Sequence, residues 1–488
     1  MTAVLRILVL STFVVLLNET IMVNAIPRLM HEFEVTATAA GWLSTAFMLT
    51  MAVVIPVTGW FLQRVSTRTA FSLAMALFLV GTALAAAAPA FPVLLAARVI
   101  QASGTAVMLP LVMTTLMTLV PEQDRGRVMG NVTLVISVAP ALGPAVSGVL
   151  LQLGSWRLLF LVVLPIAAAM AAFGLRKLVN IGEPRVSPID WPSILLAALG
   201  FGALVYGLSE LGAGDAATAP VPPLATTLSG AVLVGLFAWR QLSLQRSAAP
   251  LLDLRPLTFR HFSVALSLIC LSFMALMGAF ILLPMYLQDV RGLTSLQTGL
   301  LLMPGGLTMG LLGPQVGRLY DRIGAPRLVV PGAVVIALCL ALFGFVGEQT
   351  SPWLVLALHV ALSAGLAFVL TPVFTSGLSV LPPHLYAHGS AILGSLQQVA
   401  AAAGTALVVS VMSGRAAAAA AAGGASATGA LAVGVRWGFG VGAALGGLAV
   451  LVALLVRTPQ LPATSRTGDE DRMAADETAR NASVSQVS

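Results

Sequence analysis

The hydrophobic and polar positions along the chain form long apolar runs separated by short polar stretches. From Leu5 to Leu17, for example, the only polar residues are Arg6, Ser11 and Thr12. An apolar helix of about 18 or more residues can cross the roughly 30 Å hydrocarbon core of a bilayer. The pattern therefore predicts an all-α polytopic membrane protein with fourteen transmembrane helices, at about 5–26, 41–61, 70–90, 93–119, 128–153, 157–176, 191–210, 223–240, 262–287, 295–317, 328–346, 352–376, 389–413 and 432–456.

The distribution of charge predicts the orientation of these helices. Charged residues make up only 9% of the sequence, and the net charge is +7. With the N-terminus in the cytoplasm, most arginines fall in cytoplasmic loops, as the positive-inside rule requires. The outer loops then hold only Arg28, Arg157, Arg291, Arg415 and Arg436. An even number of spans places both termini in the cytoplasm, and topology explains the basic charge without a nucleic-acid partner.

One acidic residue, Glu19, lies inside an apolar run. The predicted span ends near Ile26, which places Glu19 roughly 10 Å below the outer surface. An ionised side chain at such a depth is costly and is typically functional. Arg98 in the fourth span lies at a similar depth, and opposite charges lower the cost of burying each other. We expect the two to pair and to couple transport to proton movement; the alternative is that Arg98 only braces helix ends.

Other polar side chains also lie deep in predicted spans. His359 is the only histidine well inside a span, and two interpretations stay open: it carries protons or binds substrate, or it is a packing residue. Gln397 and Gln398 lie near the middle of the thirteenth span, where an amide can orient a ligand or bond to a neighbouring helix. With Asn18 and Gln101, these two glutamines are the candidate substrate-binding residues.

Two segments, "GWFLQRVSTRTAF" at 59–71 and "GRLYDRIGAPRLV" at 317–329, resemble each other. They indicate an internal repeat of two similar halves. The copies begin 317 − 59 = 258 residues apart, which is about two spans more than six helices need. We therefore predict a six-helix bundle at 1–190, two inserted helices with a basic linker at 191–261, and a second six-helix bundle at 262–456. The polar remainder, 457–488, is predicted to be a disordered tail, and the alanine-rich stretch 414–430 a mobile outer loop.

These motifs resemble those of the major facilitator superfamily, and the likeness covers about residues 5–456. The loop signature is represented by Gly317, Asp321 and Arg322 and, in the first half, by Gly59, Gln63 and Arg64, where Gln63 replaces the usual acid. The fourth span resembles the membrane-arginine motif of the family through Arg98, Gln101 and Gly104. The fifth resembles the glycine–proline motif of its antiporting exporters through Gly143, Pro144 and Gly148. In its number of spans, fourteen, the chain resembles the fourteen-helix drug:proton antiporters, and it is most similar to those of the lincomycin-resistance type.

Several function classes find no support in the sequence. There is no Gly-Lys-Ser/Thr phosphate loop, HExxH motif, catalytic triad or channel filter, so we expect no enzyme activity, cofactor or metal. Cys270 and Cys339 both lie in apolar spans, which argues against a disulfide framework.

The resemblance implies a monomeric, proton-coupled exporter of amphipathic drugs in the bacterial cytoplasmic membrane, with neutral or singly positive substrates. Its two bundles, 1–190 and 262–456, would rock to give alternating access. Export of an endogenous lipid or metabolite, and proton symport, stay open as alternatives.

Overall fold

The computed structural model describes residues 3–22, 25–180, 189–213, 221–247, 250–422 and 426–457. The regular secondary structure of these residues is helical. Its α-helices are α1 (Ala3–Ile21), α2 (Ile26–Phe33), α3 (Ala37–Arg64), α4 (Thr67–Ala86), α5 (Phe91–Leu119), α6 (Arg125–Leu153), α7 (Arg157–Lys177), α8 (Trp191–Ala213), α9 (Pro223–Leu244), α10 (Arg260–Met285), α11 (Ser295–Ile323), α12 (Pro326–Phe343), α13 (Pro352–Ser379), α14 (Tyr386–Ala421) and α15 (Ala427–Ala453).

Fourteen helices in the described residues are long and apolar enough to cross a membrane, which confirms the predicted fold class. The remaining helix, α2, has 8 residues and was not predicted. The first span was predicted to reach residue 26, but α1 ends at Ile21, so Glu19 lies within one turn of its end. Pro27 suits the first turn of α2, because a helix needs no N–H donor there.

The prediction of a mobile loop at 414–430 is wrong for its first half. Here α14 continues to Ala421, since a run of alanine has the highest helix propensity of any residue type. Ser426 then caps α15 by accepting a hydrogen bond from the N–H of Gly429 at 3.0 Å. The predicted disorder of the tail concerns residues that, from 458 onward, lie outside the described part of the chain.

The connections between spans alternate between two ends of the molecule. We call one of them the basic end; of the described residues, it carries the connecting segments 65–66, 120–124, 178–180, 189–190, 245–247, 250–259, 324–325 and 380–385 and the residues 454–457. The other is called the opposite end. Arg125, Arg127, Arg255 and Arg260 all lie at the basic end.

The two predicted halves meet most extensively along α6 and α11. A Cβ atom added to Gly130 would lie 2.7 Å from Cα of Pro314, and one added to Gly313 would lie 3.3 Å from the Leu134 nitrogen. Small residues therefore allow these two backbones to approach more closely than side chains would permit. A second contact between the halves is made by α3 and α14.

The helices α8 and α9 form a hairpin. A Cβ atom on Gly200 would lie 2.9 Å from the nitrogen of Val234, and one on Gly230 would lie 2.6 Å from Cα of Leu204. In addition, α8 contacts both α3 and α14, through Val205 in particular. The inserted pair therefore lies against a helix of each half. The division into bundles at 1–190 and 262–456 stays a prediction.

The linker that follows α9 is folded against the basic end. Leu251 and Leu252 are buried, and the N–H of Leu252 donates to Oε1 of Gln241 at 3.1 Å. The N–H of Asp253 donates to Nδ1 of His388 on α14 at 3.2 Å. A Cβ atom on Gly59 of α3 would lie 3.2 Å from the side chain of Leu252. The linker therefore contacts helices of both halves.

Candidate functional site

Arg98 is fully buried on α5 and is held by three helices. Its Nη1 donates to Oε1 of Gln101 at 3.0 Å, and Nε2 of Gln101 donates to Oγ1 of Thr82 on α4 at 2.8 Å. The guanidinium carbon lies 4.2 Å from the ring centroid of Phe47 on α3. Gly81 makes room for this arrangement, because a Cβ atom there would lie 2.6 Å from Cγ of Gln101. Gln101 thus fixes the orientation of the arginine.

Two donors of Arg98 are left over. Its Nε and Nη2 atoms are buried and have no hydrogen-bond partner among the described residues. A buried guanidinium normally uses its donors, since an unsatisfied one loses its solvation without compensation. The arginine is therefore held at one edge and has free donors at the other.

Glu19 on α1 is the acidic group that acts on this arginine. The two charges attract each other through space. Within the described part of the chain, however, no ion pair of 4.0 Å or less joins them. Glu19 is half-buried. The two charges therefore lie close enough to attract each other, but the structure shows no direct ion pair, and the pairing stays a prediction.

The residues beside Glu19 pack α1 against its neighbours. Asn18 is fully buried, and neither polar atom of its amide has a partner in the described structure. Thr20 faces α6, where a Cβ atom added to Gly143 would lie 2.7 Å from Cβ of Thr20. Gly143 therefore allows α6 to approach α1 next to Glu19. At Gly148 an added Cβ would meet nothing within 4 Å, and the side chain of Pro144 lies outside the described part.

His359 is in the other half and is tied to a neighbouring helix. Its Nε2 lies 3.1 Å from the backbone oxygen of Leu302 on α11, and its Nδ1 is buried without a partner in the described residues. The ring also packs against Gly305. These contacts join α13 to α11, as the packing interpretation requires. The structure does not bring His359 together with Glu19 and Arg98.

Gln397 and Gln398 are half-buried on α14. Oε1 of Gln397 is buried and has no partner among the described residues, so it is available as an acceptor. The other proposed substrate ligand, Gln101, is fully buried, and both ends of its amide are used by Arg98 and Thr82. Its geometry suits positioning of Arg98 better than contact with a substrate.

The loop motif of the second half joins the two halves at the basic end. Oδ1 of Asp321 accepts a hydrogen bond from the N–H of Gly126, and Oδ2 accepts one from the N–H of Arg127, both at 2.8 Å. A carboxylate in this position satisfies free N–H groups at the start of α6. Its negative charge also interacts favourably with the positive end of the helix dipole. Beside it, Gly317 allows α11 to pack directly on the backbone of Gly126. Arg322 is exposed.

The loop motif of the first half makes a weaker contact at the same end. Nε2 of Gln63 donates to the backbone oxygen of His384 at 2.6 Å, so the glutamine acts as a donor where an acid could only accept. A Cβ atom on Gly59 would lie 2.9 Å from Nδ1 of His388. Arg64 lies over the ring of Trp60, 5.1 Å from its centroid. Both motifs therefore make contacts at the basic end, Asp321 with the start of α6 and Gln63 with the segment before α14.

Comparison with known proteins identifies the family. The sequence profile of the Major Facilitator Superfamily matches residues 8–405. The chain belongs to this superfamily. Over 462 residues it is 38% identical to the Bacillus subtilis (strain 168) protein "Uncharacterized MFS-type transporter YcnB", covering 95% of this chain and 96% of that one. Over 404 residues it is 36% identical to "Lincomycin resistance protein LmrB" of Listeria innocua, covering 83% of this chain and 85% of the relative.

A solved structure of the superfamily has the same fold. The human organic anion transporter MFSD10 (TETRAN) superposes with a TM-score of 0.65, covering 92% of this chain and 98% of that chain at 18% identity. The predicted family resemblance is confirmed by these findings. The protein is a membrane transporter of the major facilitator superfamily, and its relatives include proteins named for drug resistance.

Some residues of the site were not found from the sequence. Phe47 and Thr82 contact Arg98 and Gln101, but a phenylalanine and a threonine in an apolar span are common and carry no distinguishing signal. His388 was passed over because it lies near a span end. Gln241 near the end of α9 and Asp253 in the linker hold the linker in place through hydrogen bonds. They were not identified because the basic segment after α9 was interpreted only as a connection.

Proposed function

We propose that this transporter exports amphipathic drugs, neutral or singly positive, in exchange for protons. The observation that carries the proposal is Arg98, fully buried, held by Gln101 on one side and left with two free donors, within the electrostatic reach of Glu19. A half-buried acid and a buried base that attract each other without direct contact can exist in two arrangements. Proton binding by Glu19 removes the attraction and favours one of them.

The transport cycle follows from this switch. With Glu19 charged, Arg98 turns its free donors towards it and draws α1 and α5 together. With Glu19 protonated, the arginine relaxes onto Phe47 and Gln101. A proton that enters down 100 mV contributes about 2.3 kcal/mol, which sustains a gradient of nearly 50-fold for a neutral substrate, whereas exchange of one proton for a singly positive substrate moves no net charge and is driven by the pH difference. Asn18, Gln397 and Gln398 are the polar groups proposed to meet the substrate.

Alternating access is proposed to use the contacts at the basic end as its gate. Asp321 with Gly126, and Gln63 with His384, hold this end closed, so access in this state is from the opposite end. We place the basic end and both termini in the cytoplasm of a bacterium, with the protein a monomer in the cytoplasmic membrane. The bundles 1–190 and 262–456 are proposed to move against each other.

Drug susceptibility of a sensitive host with and without the gene tests the proposal. Expression should raise the inhibitory concentrations of lincosamides, cationic dyes or quaternary ammonium compounds. In inverted vesicles, a protonophore, which dissipates both the pH difference and the membrane potential, should stop accumulation of the same drug. An unchanged susceptibility profile would favour an endogenous lipid or metabolite as the substrate, and drug accumulation that survives loss of the whole proton gradient would exclude proton coupling.

A further inference from the structure

A pocket outside the proposed transport path opens at the basic end between α10, α13 and α15. Arg260 and His261 at the start of α10 and Arg457 beyond the end of α15 supply its polar rim. Its wall is apolar and includes Val264, Val373 and Leu455. The pocket thus combines a basic rim with an apolar groove.

The three basic residues of the rim are available to a ligand. Arg260 and Arg457 are exposed and His261 is half-buried. In the described residues, none of the three forms an ion pair with a carboxylate. Two arginines converge here from helices that are far apart in the sequence, and their like charges repel each other unless an anion lies between them.

The position of the pocket determines what can fill it. Arg260 is the first residue of α10, and Val264 lies one turn further in, so the rim is at the membrane surface and the wall extends roughly 6 Å into the hydrocarbon. The surrounding medium at this depth is lipid. Beside the pocket, α10 and α13 pack closely, since a Cβ atom on Gly377 would lie 2.8 Å from Cβ of Ala265.

We propose that this pocket binds an anionic phospholipid. The headgroup phosphate is held by Arg260 and Arg457, with His261 beside it, and an acyl chain lies along Val264, Val373 and Leu455. Basic pockets between transmembrane helices at a membrane surface are suited to such headgroups. A bound lipid would connect α10, the first helix after the linker, to α15, the last helix of the chain.

The test is native mass spectrometry of the full chain in detergent, titrated with dioleoylphosphatidylglycerol or dioleoylphosphatidylcholine. The wild type should bind phosphatidylglycerol more tightly. Combining Arg260→Gln with Arg457→Gln should weaken phosphatidylglycerol binding by about 5-fold for each arginine, and should weaken phosphatidylcholine binding less, because the choline group balances the charge of its phosphate. Leu455→Ser, at a side chain that is 50% exposed and therefore tolerant of change, should weaken binding of both lipids.

The matched control combines Arg68→Gln with Arg176→Gln. These arginines are also exposed, at the basic ends of α4 and α7, and their loss removes the same charge. Phosphatidylglycerol binding should stay within twofold of the wild type. Equal losses in the control and test pairs would overturn the proposal, because the attraction would then be unspecific.

Two further results distinguish the lipid from other anions. Millimolar inorganic phosphate should not displace phosphatidylglycerol; if it does so fully, the pocket recognises phosphate alone and the proposal is wrong.

The acidic tail residues are the second competitor. Replacing Asp469 and Asp471 by Asn and Glu470 by Gln should leave lipid binding unchanged, whereas a marked increase would identify the tail as the occupant in the intact chain.

Discussion

Nη1 of Arg98 donates a hydrogen bond to Oε1 of Gln101, one turn further along α5, at 3.0 Å. The amide nitrogen of Gln101 is in turn bound to Thr82, which donates to the backbone oxygen of Phe78. A permanently charged group inside the membrane is thus connected to the backbone of a second helix. The connection fixes one edge of the guanidinium, while Nε and Nη2 have no hydrogen-bond partner among the described residues.

Gln101→Leu should impair transport without unfolding the protein. The substitution leaves Nη1 of Arg98 buried without an acceptor, which costs roughly 1–3 kcal/mol. We expect the rate of proton-driven drug uptake to fall between about 5-fold and 100-fold, and its pH profile to change. Thr105→Val is the matched control, since Thr105 is buried on the same helix but bonds only to the backbone oxygen of Gln101. Uptake by Gln101→Leu equal to that of the control would remove Gln101 from the mechanism.

Gly143→Ala and Gly148→Ala should have opposite consequences. At Gly143 the new methyl group collides with Thr20 beside Glu19, whereas at Gly148 it meets nothing within 4 Å. Overpacking of this kind costs about 1–3 kcal/mol, while alanine in an open helical position gains roughly 0.5–1 kcal/mol over glycine. Thermal unfolding of the purified proteins should therefore show a lowered midpoint for the first and an unchanged or raised one for the second. The reverse order would show that α1 and α6 do not pack as described.

Asp321→Ala should shift the protein away from the state in which the basic end is closed. The variant loses two hydrogen bonds to the start of α6, and loss of such a cap costs roughly 1–2 kcal/mol. The ratio of closed to open states should fall by about 5- to 30-fold. The matched control is Asp124→Asn at the same end, because Asp124 forms an exposed ion pair of 3.9 Å with Arg127 and no side-chain hydrogen bond that caps α6.

The populations in Asp321→Ala can be measured by electron paramagnetic resonance. Spin labels at Arg68→Cys and Arg318→Cys report the separation of the two halves at the basic end, in a protein whose two native cysteines are replaced by alanine. A longer distance should become populated in Asp321→Ala and not in Asp124→Asn. An identical distance distribution in both would mean that Asp321 does not hold the gate.

Asp190 should make the stability of the α8–α9 hairpin sensitive to acid. Its carboxylate accepts hydrogen bonds from Nη2 and Nε of Arg240 at 2.8 Å and 3.0 Å, and these bonds lower the pKa of Asp190. A lowered pKa in the folded state contributes stability above the unfolded value of about 4, and this contribution is lost as the pH falls through the folded value.

The matching experiment compares unfolding midpoints of Asp190→Asn and the wild type at pH 7 and pH 3. The variant should be less stable at pH 7, and the difference should shrink at pH 3. Asp289→Asn, which removes an exposed carboxylate without an ion pair in the described residues, is the control and should be neutral at both pH values. A difference that does not depend on pH would show that Asp190 contributes through packing alone.

The fold was predictable because apolar runs of membrane length are a strong signal that depends on each helix alone. The position of the helix ends was less predictable. The end of α1 at Ile21 and the extension of α14 to Ala421 depend on the helix propensity of the local residues. Hydropathy stays high on both sides of these positions, so it does not indicate where the helix ends. Glu19 and Arg98 could be singled out in advance because the sequence has few intramembrane charges to choose from.

The partners of these charges could not be predicted in the same way. Contacts between helices depend on how each helix is rotated, and a transmembrane helix with little amphipathicity gives no indication of its rotation. For this reason Gln101 was assigned to the substrate although it binds Arg98, and the roles of Phe47 and Thr82 were missed. The contacts of Leu252 and Asp253 at the basic end could not be predicted either, because they join residues that lie in different parts of the sequence.

The central claim is that Glu19 carries the coupled proton, and Glu19→Gln tests it most directly. Glutamine keeps the shape of the side chain and imitates the protonated acid. Removing an intramembrane charge lowers the cost of burial, so the variant should insert, fold and bind an uncharged drug. Glu19→Asp, one methylene shorter, should transport weakly and with a changed pH optimum.

The decisive measurement is drug accumulation in inverted vesicles under an imposed proton gradient, with drug binding to the same purified variant as its control. We predict that Glu19→Gln binds drug as the wild type does but accumulates none against a gradient, because no proton can be released to complete the cycle. Uphill accumulation by Glu19→Gln at the wild-type rate would contradict the account and would make His359 the next residue to test.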